Sequence, residues 1–193
     1  SDGGQHADTR RALAHCEKLI RDGADILDLG GESTRPGAPT LTVEEEWTRL
    51  EGVLRAALTM GVPLSVDTCK AEVMRRALDL GVDIINDIRG LEDDGAVEAV
   101  ARHGACGVCL MHMQGDPATM QLRPSYPDVV AEVKSYLAMR VDVVRAAGVA
   151  VRGGAARLGA DVADVEPAHT RREARPVVVR ALDVARDRLP LGV

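Results

Sequence analysis

The sequence predicts an α/β fold on a parallel sheet, of the (β/α)8 or TIM barrel kind. Three observations carry this. Helical and short extended stretches alternate through the first 150 residues, glycines close the helices, and successive strands end on a polar residue. Short apolar strands joined by helices imply a parallel sheet covered by a helical layer. The strand-end residues are Asp28, Asp67, Asn86 and His112. A polar side chain at such a position is costly inside a core unless it is paired. Four of them at one end of neighbouring strands converge on one face, as at the mouth of a barrel. An open sheet would instead take its ligand at a switch point, and no glycine-rich dinucleotide fingerprint follows any strand here.

The elements follow in order. Residues 6–22 place Ala7, Ala12, Leu13, Leu19 and Ile20 at helical spacing, and Gly23 stops the run. Residues 24–29 read as a short buried strand. Residues 42–60 form a helix whose Thr42 and Glu45 make a capping-box pattern, with Gly61 as terminator. Residues 63–67 are a strand, 70–80 a helix ended by Gly81, and 82–86 a strand. Asp93 or Asp94 caps a helix that runs to His103, and 106–112 are a strand. A long helix starts around Tyr126-Pro-Asp-Val and runs to Ala147, with Gly148 behind it. Residues 151–193 lose this rhythm. They keep a strand-like trio, Val177 to Val179, and an amphipathic stretch from Val178 to Leu189. The expected division is a partial barrel over 1–150 and an unassigned tail, helical or disordered, over 151–193.

The chain has 193 residues, 46% of them hydrophobic but only 2% aromatic, with no Phe. One domain is expected, with a core of Val, Leu, Ile, Ala and Met. No apolar run approaches the roughly 20 residues that span a bilayer, and no leader is recognised. A net charge of −6 argues against nucleic acid as partner. Cys106 and Cys109 have the spacing of a redox pair, but on a strand residues i and i+3 face opposite ways. They read as small buried hydrophobes in a reducing, cytoplasmic setting.

Four stretches offer chemistry. In Asp28-Leu-Gly-Gly-Glu-Ser-Thr-Arg-Pro-Gly37, a hydroxyl (Thr34), a guanidinium fork (Arg35) and two glycines suit an anion such as phosphate or carboxylate. Pro36 and Gly37 shape the turn. The alternative is a solvated loop whose Arg35 pairs with Glu32. Asp67 ends a strand, where it either accepts from ring N–H groups or caps the next helix. Asn86 both donates and accepts, so it either reads a heterocycle edge or shapes a turn. Met111-His112-Met113 offers polarizable walls and one imidazole, which equally fit a core.

The runs DLGGESTRPGA, SVDTCKAEVMRRALDLGVDIINDIRG, LMHMQGDPATMQ and DVVAEVKSYLAMRV together resemble the dihydropteroate synthase family of pterin-binding barrels, over residues 1 to about 150. The resemblance implies a TIM barrel and a transferase of folate biosynthesis. It would join 6-hydroxymethyl-7,8-dihydropterin diphosphate to 4-aminobenzoate, releasing pyrophosphate, with sulfonamides competing for the aminobenzoate position. It further implies that Asp67 and Asn86 bind the pterin, with Ile88 and Met111 lining its pocket. Thr34, Arg35 and Pro36 would form the loop that meets pyrophosphate and aminobenzoate, and Asp28 would support that loop. Magnesium carried with the diphosphate, a homodimer and a cytoplasmic location are also implied.

The same resemblance implies departures. The family's first strand, with an Asn that helps hold magnesium, is not found, so its metal ligand is expected upstream of Ser1 and none within this chain. Residues 151–193 lack the family's Asp-Pro-Gly, Ser-Arg-Lys and Arg-x-His strand ends and its loop lysine. The barrel is therefore expected to be incomplete, about four βα units corresponding to strands 2 to 5, with impaired activity. Two alternatives are an inactive fragment or remnant, and a pterin-binding domain serving methyl transfer, which should lack the GESTRPG loop.

Overall fold

A computed structural model describes residues 9–33, 39–113 and 126–149, together with the backbone of 157–158 and 177–181. The elements are α1 (Thr9–Arg21), β1 (Leu27–Gly30), α2 (Val43–Ala57), β2 (Leu64–Asp67), α3 (Ala71–Leu80), β3 (Ile84–Asp87), α4 (Ala96–Arg102), β4 (Gly107–Leu110), α5 (Val129–Ala146), β5 (Arg157–Leu158) and β6 (Val177–Ala181). All strand pairs are parallel. The strands lie in the order β1-β2-β3-β4-β6-β5. The first four follow sequence order, as in a barrel wall. The apolar trio 177–179 falls in β6 beside β4, so the stretch read as helical from Val178 is extended as far as Ala181.

Register determines which side chains share a face. Leu27 pairs with Leu64, Leu29 with Val66, Val66 with Ile85, and Ile85 with Val108. These alternate residues point toward the helices. Leu27, Leu54, Leu64, Val66, Val73, Met74, Ile85, Val100, Val108 and Leu110 are almost completely buried in that layer. Burying a side chain of this size stabilises by roughly 1.5–3 kcal/mol, so the layer is the main source of cohesion. The opposite face carries Asp28, Ser65, Asp67, Ile84, Asn86 and Cys109, as strand alternation requires.

The helix ends show why these segments stop and start where they do. Thr42 caps α2 with the full reciprocal box: its hydroxyl accepts from Glu45 N–H, and the Glu45 carboxylate accepts from Thr42 N–H at 2.8 Å. Gly81 ends α3 in the left-handed region, φ 102°, where glycine avoids a Cβ penalty. Asp128 caps α5 through Ala131 N–H. Asp93 differs from expectation. The residue before α4 is Gly95, without a side-chain cap, while the Asp93 carboxylate accepts from Ala71 N–H at 2.9 Å. Asp93 thus caps the neighbouring helix α3, whose own N-cap residue, Lys70, makes no side-chain cap bond.

Outside the core, Arg76 forks onto Glu44 of α2 and reaches Glu72 of its own helix, lying over the Trp47 ring. None of the four cysteines is in a disulfide, and the Cys106 thiol donates to Val100 O. Among the described residues, no helix is long and apolar enough to cross a membrane.

Candidate functional site

The C-terminal ends of β1–β4 place Gly30, Asp67, Asn86 and Cys109 side by side in one row. Asp67 and Asn86 are direct register partners, so their side chains leave the sheet on the same face. Asp28 lies one step lower on that face, and its carboxylate accepts from Asn86 Nδ2 at 3.1 Å. This bond fixes which way the Asn86 amide is turned. Gly30 stands beside Asp67 in the row, and a Cβ there would lie 3.5 Å from Asp67 Cβ. The missing side chain keeps the space over Asp67 open.

Asp67 is the unusual group. Among the described residues no hydrogen-bond donor meets its carboxylate. Burial, and then the charges of Asp28, Asp87 and Glu46, raise its pKa from 3.8 to about 7. A carboxylate in this state gains from any ligand that brings N–H donors to it. It does not cap α3, which is the work of Asp93.

Asp87 follows on the helix side of β3 and is fully buried. Its two oxygens accept from Arg89 N–H at 2.8 Å and Leu91 N–H at 2.7 Å. Burial raises its pKa, against these bonds and one from the Cys69 thiol. The carboxylate holds a tight turn in which Leu91 takes φ 62°, a conformation rarely open to a leucine. Ile88 is buried within that turn. Helix α5 grips the turn from outside. Arg140 donates to Gly90 O at 2.6 Å and Leu91 O at 2.7 Å, and Tyr136 donates to Glu92 at 2.9 Å. Met111 extends the β4 ladder, its N–H on Asp87 O, and is buried. His112 leaves the polar row. Its ring packs edge-on against Tyr136 at 5.1 Å and tilted against Tyr126 at 5.8 Å, and burial lowers its pKa despite Glu132.

Thr34, Arg35 and Pro36 lie outside the described residues, but the chain on either side of them is described. The Glu32 carboxylate accepts from Leu41 N–H at 3.3 Å and from Lys70 Nζ. Lys70 also donates to Glu46 at 2.6 Å. Burial works against the Lys70 ammonium, yet the bonds to Glu32 and Glu46 prevail and raise its pKa. Glu46 is completely buried, and its Oε1 meets no hydrogen-bond partner among the described residues. Gly31 allows this close approach: a Cβ would fall 2.9 Å from Glu46 Cγ, 3.0 Å from Glu46 O and 3.1 Å from Leu50 Cγ. Sequence reasoning missed this cluster. Its trace was present, because Glu46 sits on the stripe Glu46, Leu50, Val53, Leu54 and Ala57 that α2 buries. A glutamate on an apolar stripe signals a buried partner.

Magnesium has no cluster of three His, Cys, Asp or Glu side chains to hold it among the described residues.

A parallel α/β wall whose strand ends gather carboxylate and amide groups on one face defines the class of barrel enzymes that work on small molecules at that face. Within that class the assignment is specific. Residues 1–152 match the family model described as pterin binding enzyme, and the chain belongs to this family. A dihydropteroate synthase of Neisseria meningitidis serogroup B is 54% identical over 152 residues, covering 78% of this chain and 53% of that protein. A Yersinia pestis dihydropteroate synthase, solved with a sulfonamide drug complex, superposes with a TM-score of 0.74 at 44% identity, over 78% of this chain and 55% of that one. The Burkholderia cenocepacia synthase, complexed with 7,8-dihydropteroate, gives 0.68 at 50% identity, over 74% of this chain and 51% of its own. These neighbours are TIM barrels, of which the described sheet covers a part. The chain spans about half the length of the curated relatives it matches.

Proposed function

We propose that this chain carries the pterin-binding wall of a dihydropteroate synthase. The reaction joins 6-hydroxymethyl-7,8-dihydropterin diphosphate to 4-aminobenzoate, giving 7,8-dihydropteroate and pyrophosphate. The observation that carries the reading is the Asp67 carboxylate, largely buried and without a donor among the described residues, beside an Asn86 amide oriented by Asp28. A pterin edge presents neighbouring N–H donors and ring acceptors, which a carboxylate and an amide complement. Ile88 and Met111 serve as the apolar walls of the pocket.

In the reaction the bond from the methylene carbon to the diphosphate oxygen breaks, and its electron pair leaves with pyrophosphate. The positive charge left on carbon spreads into the pterin ring, where ionised Asp67 stabilises it. The aminobenzoate nitrogen attacks the methylene and then loses a proton. Thr34 and Arg35 serve the leaving anion, and Pro36 shapes their loop. The protein contributes placement and electrostatics more than covalent chemistry. The proposed setting is the cytoplasm and the proposed assembly a homodimer. Turnover by this chain alone is impaired, in keeping with the Asp-Pro-Gly, Ser-Arg-Lys and Arg-x-His runs missing from 151–193.

Titration of the purified chain with 6-hydroxymethylpterin tests the binding. Saturable binding that Asp67→Ala abolishes supports the site; no saturable binding refutes it. Product formation at ordinary enzyme rates would refute the impairment.

A further inference from the structure

The sheet continues one step past Asn86 and Cys109. Met111 N–H donates to Asp87 O at 3.3 Å, which carries the β3–β4 ladder onward and sets Met111 beside Ile88. Both side chains are buried. Two strand residues rise about 6.6 Å, so a fused ring whose donor edge meets Asp67 and Asn86 brings its far half to the level of Ile88 and Met111. One side chain of α5 touches the chain just beyond each of these two residues. The Tyr136 hydroxyl donates to Glu92 at 2.9 Å and lies 3.4 Å from Arg89 O. Its ring meets the His112 ring edge-on, with 5.1 Å between centroids. A Cβ on Gly90 would fall 2.6 Å from the same hydroxyl, and Gly90 stands at φ 64°, so the turn admits Tyr136 because that residue is glycine.

We infer that Tyr136 is a positioning residue: it braces the turn at 88–92 against the end of β4, and so sets the gap between Ile88 and Met111 that receives the second ring of the ligand. This rests on the reading that Asp67 and Asn86 take the pterin edge. The Tyr136 hydroxyl is engaged by Glu92 and its ring by His112, so it acts on the ligand through the two segments it joins.

The test compares two ligands on the full chain by calorimetry: 6-hydroxymethylpterin, and 2-amino-4-hydroxypyrimidine, a single ring with the same donor edge. Tyr136→Leu is expected to weaken the pterin about tenfold, the scale of a lost aromatic contact together with a hydrogen bond, and the single ring less than about twofold. Tyr136→Phe, which keeps the ring against His112, should cost the pterin only about threefold. Glu92→Ala breaks the same hydroxyl bond, so it should match Tyr136→Phe, and the two together should cost no more than either alone. Equal loss for both ligands overturns the inference, since it marks a merely structural role. No loss for the pterin overturns it too, and so do additive losses in the double variant. If Tyr136→Leu does not fold, Glu92→Ala, at an exposed position, decides by the ratio of its losses on the two ligands. A wild-type chain that binds neither ligand refutes the parent reading and this inference together. Wild-type binding of both, with an unchanged ratio in the variants, refutes this inference alone.

Discussion

Replacing Asp67 with Asn tests the electrostatics of the site without any ligand. The Asp67 pKa stands at about 7 against an ordinary 3.8. At 1.36 kcal/mol per pH unit, that difference corresponds to about 4 kcal/mol. The sign follows from proton counting. Between pH 3.8 and 7 the folded chain keeps a proton that the unfolded chain has lost, so stability falls as pH rises through this window and levels off above it. Asp67→Asn is nearly the same size and cannot ionise, so it removes the penalty. The variant should match the wild type near pH 4 and exceed it by up to about 4 kcal/mol at pH 8. Trp47 is the sole tryptophan and packs against the core, so its fluorescence in urea titrations reports both unfolding curves. A stability difference that does not change between pH 4 and pH 8, or a variant less stable at pH 8, would refute the reasoning. The ligand should reverse the trend. A pterin that donates to ionised Asp67 should bind more tightly as pH rises toward 7, by up to about tenfold per pH unit below it.

Gly31→Ala should destabilise the fold by about 1–3 kcal/mol, because its methyl would press on the Glu46 backbone oxygen and Leu50; thermal unfolding reads this directly. Asp87→Ala should cost about 2–4 kcal/mol by stranding the buried N–H of Leu91 and releasing a left-handed leucine, visible as a lower urea midpoint. Thr42→Ala should cost about 1 kcal/mol through loss of the capping box, with the change confined to unfolding and absent from ligand titrations. Arg35→Ala should weaken the diphosphate ester more than the plain pterin in paired calorimetric titrations; the reverse order would remove Arg35 from the anion end.

Much of the fold was legible because its causes are local. The Thr42 cap follows from a hydroxyl and a glutamate three residues apart. Gly81 marks a stop because left-handed backbone needs it. The meeting of Asp67 and Asn86 follows once two strands are parallel, since each residue ends its apolar run and alternation puts both on one face. The strand at 27–30 starts later than read and takes in Gly30, because a glycine beside Asp67 serves the ladder as well as a turn. What was hidden depends on contacts between distant segments. Asp93 looked like the cap of the helix next to it in sequence, but it faces the bare N-terminus of another. His112 ended a strand like the others, yet a tyrosine fourteen residues away in sequence and another on α5 claim its ring. The Glu32–Lys70–Glu46 cluster joins residues up to 38 positions apart, and no spacing rule announces it.

The grip of Arg140 on the carbonyls of Gly90 and Leu91 crosses from one βα unit into its predecessor. A helix that looks like outer scaffolding is therefore a clasp for the corner just past Asn86. Shortening α5 from its far end, even by the few residues that reach back to position 140, would unfasten that corner while leaving every residue of the inner row in place. Damage on the outside of the molecule would then register as a slackened pocket wall.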